Sequence, residues 1–420
     1  MQEIKVEEGQ VSIVLVGIGG YTNSYISALL GQRGKRDWCL VGVVDPLAEK
    51  APRYGELKAM GLPFYNSLEM FYASGETADL AIICSPIQFH CQQACWAMKH
   101  GSNVLCEKPA AAVIDDALEM KFVSNRTHRF CAIGYQWSYS PQILALKNDM
   151  RRRRYGAAKR LRSLALWARN DAYYHRNNWA GAQKTADGEW ILDSPVNNAT
   201  AHYLHNMLFV LGPSMNEAAR PITVQAELYR ANPITNYDTA AVRVFTEDYV
   251  ELLFYTAHPV PLVRGPEFIF EFERGVVTYS SRTRRLTGRL NSGEVIEYGN
   301  PVQDVSCKLA AAIRATKEYD RSHIVCDINT AMMHTIVMNG AQQSVENIVE
   351  FPARDIYKMG VPGAQVTVME GLAQRMVKAY EAASMPFLVA RAPWSRIGKV
   401  ISLKDYDHFP KRELFLDDWR

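Results

Sequence analysis

Apolar positions gather first at Val11–Val16, then at Leu40–Val44, Leu80–Cys84, Asn103–Cys106 and Phe130–Gly134. Short apolar runs without polar alternation predict strands of a parallel sheet covered on both faces. Between them, Asn23–Leu30, Gln88–His100 and Ile114–Asn125 carry helical spacing, and Gly101 is placed to end the second of these. Pro46 predicts one more helix, running to about Met60 and stopped by Gly61. Strand–helix alternation of this kind predicts an α/β domain with helices on both faces of its sheet.

The pattern changes after Tyr139–Pro141. Lys159–Trp167, and then the stretch from Ile222 to about Tyr279, are rich in β-branched and aromatic residues. Val242–Phe245, Val250–Tyr255, Phe268–Phe272 and Val276–Tyr279 follow one another across short turns, as antiparallel strands do. Helical patterns at about 202–211, 303–319 and 327–345 complete an α+β domain, with helices on one face of an open, largely antiparallel sheet. Beyond Phe351 the spacing predicts a helix near 365–382, and the last forty residues read as a surface wrap. The expected division is residues 1–138 for the first domain and 139–420 for the second.

Composition narrows the function classes. The 420 residues carry 47 basic and 44 acidic side chains, a net charge of +3, so no overall field draws the chain to nucleic acid or membrane. The run Arg151–Arg154 reads as a solvated helix end or turn beside Gly156, with an anion or nucleic-acid contact as its alternative. No apolar stretch approaches the ~20 residues that span a bilayer. The polar start, Met1–Glu8, does not resemble a secretory signal. Eight scattered cysteines read as reduced core thiols of a cytoplasmic protein. Cys91 and Cys95 lack a second ligand pair, so no metal site is expected.

Candidate chemistry sits at the ends of the predicted parallel strands. Gly17, Ile18, Gly19, Gly20, Tyr21 and Thr22 follow the first strand and precede a helix, the context of a phosphate-binding turn. Gly17 permits a tight turn, and Gly19 lets backbone amides approach a pyrophosphate. Thr22 stands where Gly or Ala is usual; it either caps the helix and offers its hydroxyl to a phosphate, or pushes the helix outward. Asp45 ends the second strand, where a carboxylate takes ribose hydroxyls and repels a 2′-phosphate. NAD is therefore expected over NADP. Its plainer reading is a helix cap before Pro46. Ser85 and Pro86 follow the strand Leu80–Cys84 with His90 just beyond, and Glu107, Lys108 and Pro109 follow the strand Asn103–Cys106.

In these motifs the chain resembles the glucose–fructose oxidoreductase / inositol dehydrogenase (Gfo/Idh/MocA) family of nicotinamide-dependent enzymes. The resemblance implies a Rossmann dinucleotide-binding domain followed by a substrate and oligomerisation domain. It implies that Ser85, Pro86, His90, Glu107 and Gln136 join the glycine turn and Asp45 around the cofactor. It implies that Lys108 lies between nicotinamide and substrate, stabilising charge on the reacting oxygen, and that Pro109 follows a cis peptide.

The family's second signature has two possible registers here. Counting back from Gly212 puts His202 on the family histidine and Asn198 on its aspartate. Counting forward from Gly188 puts Asp193 on the aspartate and Asn197 on the histidine. The helix register is preferred, because it keeps a histidine as proton acceptor. Asp193 to Asn197 then form a short insertion, Asp193 can supply the charge that Asn198 lacks, and His205 is a supporting group.

Aromatic residues accumulate nearby, with Tyr135, Trp137, Tyr174 and Trp179 as candidate faces for a sugar ring and Arg169 and Asn198 as polar contacts. Tyr173–Trp179 is the expected substrate loop. The preferred reading is an oxidoreductase moving a hydride between NAD and a hydroxyl carbon of a sugar, polyol or sugar derivative, as a homodimer or homotetramer. An NAD-dependent glycosidase acting by transient oxidation and a non-catalytic dinucleotide or sugar sensor are the alternatives.

Overall fold

The computed structural model describes residues 7–31 and 37–410; the chain start Met1–Val6 and the final ten residues lie outside the described set. Six strands form the first sheet: β1 (Val11–Val16), β2 (Trp38–Val44), β3 (Phe64–Tyr65), β4 (Leu80–Ile83), β5 (Asn103–Cys106) and β6 (Cys131–Ile133). Their order is β3-β2-β1-β4-β5-β6, and every pairing is parallel. Every residue of β1, β4 and β5 is buried, as uninterrupted apolar runs require of strands sandwiched by helices. The order reverses between β1 and β4, and a crevice opens there at the carboxyl ends of the strands.

The helix expected from Pro46 to Met60 is broken. A single turn at Ala48–Lys50 is followed by a short helix at Tyr54–Ala59. Pro52 is the cause: it cannot donate a backbone hydrogen bond, and it forces Ala51 into an extended conformation (φ −76°, ψ 141°).

The second sheet contains β7 (Ala158–Leu166), β8 (Pro221–Arg230), β9 (Thr239–Thr246), β10 (Glu251–Ala257), β11 (Arg264–Phe272), β12 (Gly275–Ser280), β13 (Arg285–Leu290), β14 (Val295–Gly299) and β15 (Val349–Glu350). They lie in the order β14-β13-β12-β11-β7-β10-β9-β8-β15. Most pairings are antiparallel, but β7–β10 and β8–β15 are parallel, so the sheet is mixed. Residues along β7 alternate between two cores. Leu161 and Ala165 face the first domain, while Leu164 and Leu166 face a separate cluster with Met376, Ala379 and Tyr380. The helix Leu372–Ala382 thus covers part of the face expected to be open, and β11–β14 keep the exposed remainder.

Packing does not respect the expected division at residue 138. The helix Ser306–Glu318 returns to the first sheet, where Leu309, Ala312 and Ile313 pack with Ile13, Leu15 and Leu105. The tail is more than a surface wrap: Ile401–Ser402 pairs with β8, and Leu403, Tyr406 and Phe409 enter the main core. Arg154, in the basic run, pairs with Asp149 and Glu294 at the end of the helix Pro141–Arg151. No helix among the described residues is long and apolar enough to cross a membrane.

Candidate active site

Three strand ends shape the crevice. After β1, Gly17 takes φ +77°, and a Cβ there would lie 2.8 Å from Ser85 N. Only glycine fits, which brings the β1 and β4 turns together. Beyond Gly19 and Gly20 a Cβ would meet nothing within 4 Å, so their backbone stays approachable at the start of the helix Thr22–Leu30. Asp45 accepts hydrogen bonds from Ile18 N and Leu47 N, both at 2.8 Å. Its two oxygens clasp the glycine turn to the end of β2, and each keeps a lone pair for a further donor. An approachable glycine backbone beside a strand-end carboxylate fits an adenine dinucleotide.

Several residues expected at the cofactor turn inward instead. Thr22 is fully buried and its hydroxyl donates to Gly17 O, so it neither caps the helix nor faces a phosphate. His90 is buried with its two ring nitrogens against Pro109 O and Ser85 O, each at 2.9 Å. It ties the β4 and β5 turns together, with both ring nitrogens engaged. Ser85 reaches Gln93, and Pro86 precedes the turn Ile87–Phe89.

Glu107 is likewise buried, accepting from Tyr25 (2.7 Å) and pairing with Lys308, which also donates to Gly134 O (3.0 Å). Burial alone would raise the Glu107 carboxyl, but Lys308, with help from Tyr25 and Lys108, holds it below its ordinary value. Sequence reading missed Lys308. Its signal was a lysine in the buried stripe of its helix, in register with Ala312 and Ala315. Tyr21, at the rim, donates to Gln136 (2.7 Å), and Gln136 donates to Gln303 O (3.1 Å).

Lys108 leaves β5 through a cis peptide to Pro109. Its ammonium donates to Asn198 O at 2.8 Å and to Asn198 Oδ1 at 2.9 Å, which leaves its third proton for another acceptor. Asn198 in turn donates to Asp193 Oδ1 at 2.8 Å. Asp193 Oδ2 accepts from Gly181 N (2.7 Å) and lies 3.5 Å from the Arg176 guanidinium. Loss of solvent pushes the Lys108 amine down to about 8; Glu107 and Asp193 oppose this, and Lys308 and Arg176 add to it. Burial pushes the Asp193 carboxyl up, against the pull of Arg176, Gly181 N–H, Asn198 and Lys108.

A π-helical turn, Pro195–Ala199, precedes the helix Ala201–Val210 and is closed by Thr200 N to Pro195 O at 2.8 Å. Its extra residue brings Asp193 and Asn198 into one hydrogen-bonded chain, so the two competing registers share the site. Asn197 falls outside it: fully buried, it donates to Leu192 O (3.0 Å) and Ile191 O (3.3 Å) and holds the loop.

His202 starts the following helix. Its Nδ1 is shut from solvent without a hydrogen-bond partner, and its ring meets Tyr135 edge-on at 5.8 Å. Burial, then Lys108 and Lys308, hold the imidazole well below its ordinary range, so it is neutral at physiological pH. Tyr135 is not a substrate face. It is fully buried, stacked on His205 at 3.8 Å, with its hydroxyl 3.0 Å from His334 Nδ1. His334 Nε2 lies 3.1 Å from Val196 O, which assigns the proton to Nε2 and makes Nδ1 the acceptor. Burial lowers His334 to about 4.

Trp137 is also buried, in edge contacts with Tyr203 and Tyr279 inside the core, and is not available to a ligand. Arg169, Tyr174 and Trp179 remain at the rim. Tyr174 shares a hydrogen bond with His258 (3.0 Å), and the Arg176 guanidinium lies 5.2 Å from the centre of the Trp179 ring. Among the described residues no cluster of His, Cys, Asp and Glu is arranged to hold a metal.

The chain is similar to several known proteins. It is 26% identical over 139 residues to 4-carboxy-2-hydroxymuconate-6-semialdehyde dehydrogenase of Sphingobium sp., covering 33% of this chain and 42% of that one. It is 29% identical over 136 residues to glucose-6-phosphate 3-dehydrogenase of Bacillus subtilis, covering 32% and 37%. The chain thus spans less than half the length of these curated relatives. The fold is similar to the WlbA dehydrogenase of Bordetella pertussis, solved with NADH and UDP-GlcNAcA, with a TM-score of 0.64 at 19% identity over 80% of this chain and 98% of that one. Residues 11–135 match the model of the oxidoreductase family with an NAD-binding Rossmann fold. Over these residues, about a third of the chain, it is similar to the Gfo/Idh/MocA oxidoreductase family.

Proposed function

We propose that the protein is an NAD-dependent dehydrogenase acting on a hydroxyl carbon of a sugar, polyol or sugar derivative. The observation that carries this reading is the hydrogen-bonded chain from Lys108 through Asn198 to Asp193, set at the edge of a dinucleotide fold with neutral His202 beside it. Bound NAD supplies the hydride acceptor. Asn198 fixes the Lys108 ammonium, whose remaining N–H points a positive charge at the substrate oxygen as negative charge develops there. His202, neutral and only partly buried as a whole residue, takes the hydroxyl proton. The named substrates of similar proteins, a sugar phosphate and a carboxylated semialdehyde among them, agree with a small polar substrate.

Incubating the protein with NAD and a panel of sugars, polyols and sugar acids, with NADH absorbance as readout, tests this directly. Cleavage of a glycoside without net NADH would favour the transient-oxidation alternative, and ligand binding without any turnover would favour a sensor. The same reading gives the protein a second copy as partner, docked on the open face of β11–β13 beside Leu262 and Val263, both exposed. It also places the chain in the cytoplasm, where its eight unpaired thiols stay reduced.

A further inference from the structure

Beyond the β7 end, the rim holds more positive charge than the hydride-transfer chemistry uses. Arg169 has no hydrogen bond or ion pair among the described residues, and its Nε is shut from solvent without a partner. Its guanidinium is held by rings alone, 4.7 Å from the centre of Tyr173 and 5.4 Å from that of Trp167. Arg176 lies over the same Tyr173 ring at 3.8 Å and shares Asp193 with the Lys108–Asn198 chain.

Arg169 thus shares the Tyr173 ring with Arg176, and Arg176 and the Lys108–Asn198 pair both draw on Asp193, which leaves Arg169 without a carboxylate of its own. Glu107 is engaged by Lys308, and Asp238, behind Tyr174, is saturated by Ala231 N, Asn232 and Thr239. An arginine packed between aromatic faces is held in place while its planar fork of donors stays unfilled, and that fork matches a carboxylate or phosphate.

We propose that Arg169 recognises an anionic substituent, carboxylate or phosphate, on the substrate whose hydroxyl Lys108 holds. The substrate class is then a sugar acid or sugar phosphate and not a neutral sugar or polyol. This inference rests on the dehydrogenase reading for the role of Lys108.

Three versions of one pyranose test it: D-glucose, D-glucuronate and D-glucose 6-phosphate. The full chain is first titrated with NAD, then with each sugar by calorimetry, with and without NAD present. At least one anionic sugar should bind roughly tenfold to a hundredfold tighter than glucose, the range of a hydrogen-bonded charge pair. Glucuronate binding tightest assigns a carboxylate; glucose 6-phosphate binding tightest assigns a phosphate. R169Q should erase the preference and R169K should keep a minor share of it, because a point charge replaces a fork. If R169Q melts below the assay temperature, loss of the larger share in R169K carries the test. Glucose binding as well as both anions, no binding of either anion, or a preference that survives these substitutions overturns the assignment. Absence of NAD binding at the first step sinks the dehydrogenase reading instead, and the titrations without NAD still decide Arg169.

Discussion

Lys108 and Asn198 meet through two hydrogen bonds from one ammonium, to the main-chain oxygen at 2.8 Å and the side-chain oxygen at 2.9 Å. The contact joins the end of β5 to the π-helical turn ahead of His202, and so links the dinucleotide sheet to the helix carrying the proposed base. An amide here aims the lysine without neutralising it. A carboxylate in the same place would hold the amine charged to higher pH.

A pH profile follows from that difference. The Lys108 amine, lowered to about 8, is charged below that pH and loses its proton above it. If the charged form holds the substrate oxygen, kcat/KM should fall as pH rises through about 8. Asn198→Asp adds an opposite charge and should move that limb upward by about one unit. A limb unmoved by the substitution would dissociate Asn198 from the lysine. No limb near neutrality is expected from His202, because burial and the nearby lysines keep it neutral well below its ordinary range.

The Glu107–Lys308 pair is buried on both sides. Lys308→Met leaves the Glu107 charge without its cation and should destabilise the fold by about 3–5 kcal/mol, read by denaturant melts. Adding Glu107→Gln should recover much of that loss. A double variant no more stable than Lys308→Met would show that the pair does not act as a unit.

The glycine turn separates two kinds of failure. Gly17→Ala meets Ser85 N at 2.8 Å with a positive φ, so it should lower both melting temperature and NAD affinity. Gly19→Ala has open space and should fold normally, but its methyl should weaken NAD binding by tenfold or more, on the order of the ~1.4 kcal/mol that a tenfold change represents. Equal effects at the two positions would contradict the geometry. Asp45→Ser should weaken NAD and narrow its advantage over NADP, measured by parallel titrations.

His334 gives a stability dependence of definite sign. Its folded value of about 4 lies below the ordinary histidine range, so between the two values the unfolded chain binds a proton that the folded one refuses. Its contribution is complete above about 6.5 and is lost as pH falls toward 4, roughly 2 kcal/mol by pH 5. Melting temperature should therefore drop from pH 7 to pH 5, and His334→Gln should flatten part of that drop.

Much of the first domain was legible because its strands are short, fully buried apolar runs between punctuating glycines. The same local signals misled where partners lay far away in sequence. His90 and Glu107 occupy motif positions that suggest ligand contact, yet each is engaged by a group outside its own motif, Pro109 O in the case of His90. For Glu107 that group is Lys308, some two hundred residues downstream. Tyr135 and Trp137 read as sugar-facing rings, but aromatic composition does not tell a crevice wall from the core behind it. The two registers for the family aspartate could not be ranked by counting, since a π-helical turn let Asp193 and Asn198 reach the same place.

The central claim is that Lys108, aimed by Asn198, and His202 carry out proton handling beside a bound nicotinamide. The most direct test measures NADH formation and NAD affinity for the unaltered protein, Lys108→Ala, His202→Ala and the double variant on one turned-over substrate. Each single change should slow turnover by ~100- to 10,000-fold with NAD affinity little changed, and the double should cost little more than the worse single. Lys108→Ala or His202→Ala turning over at the unaltered rate would contradict the account.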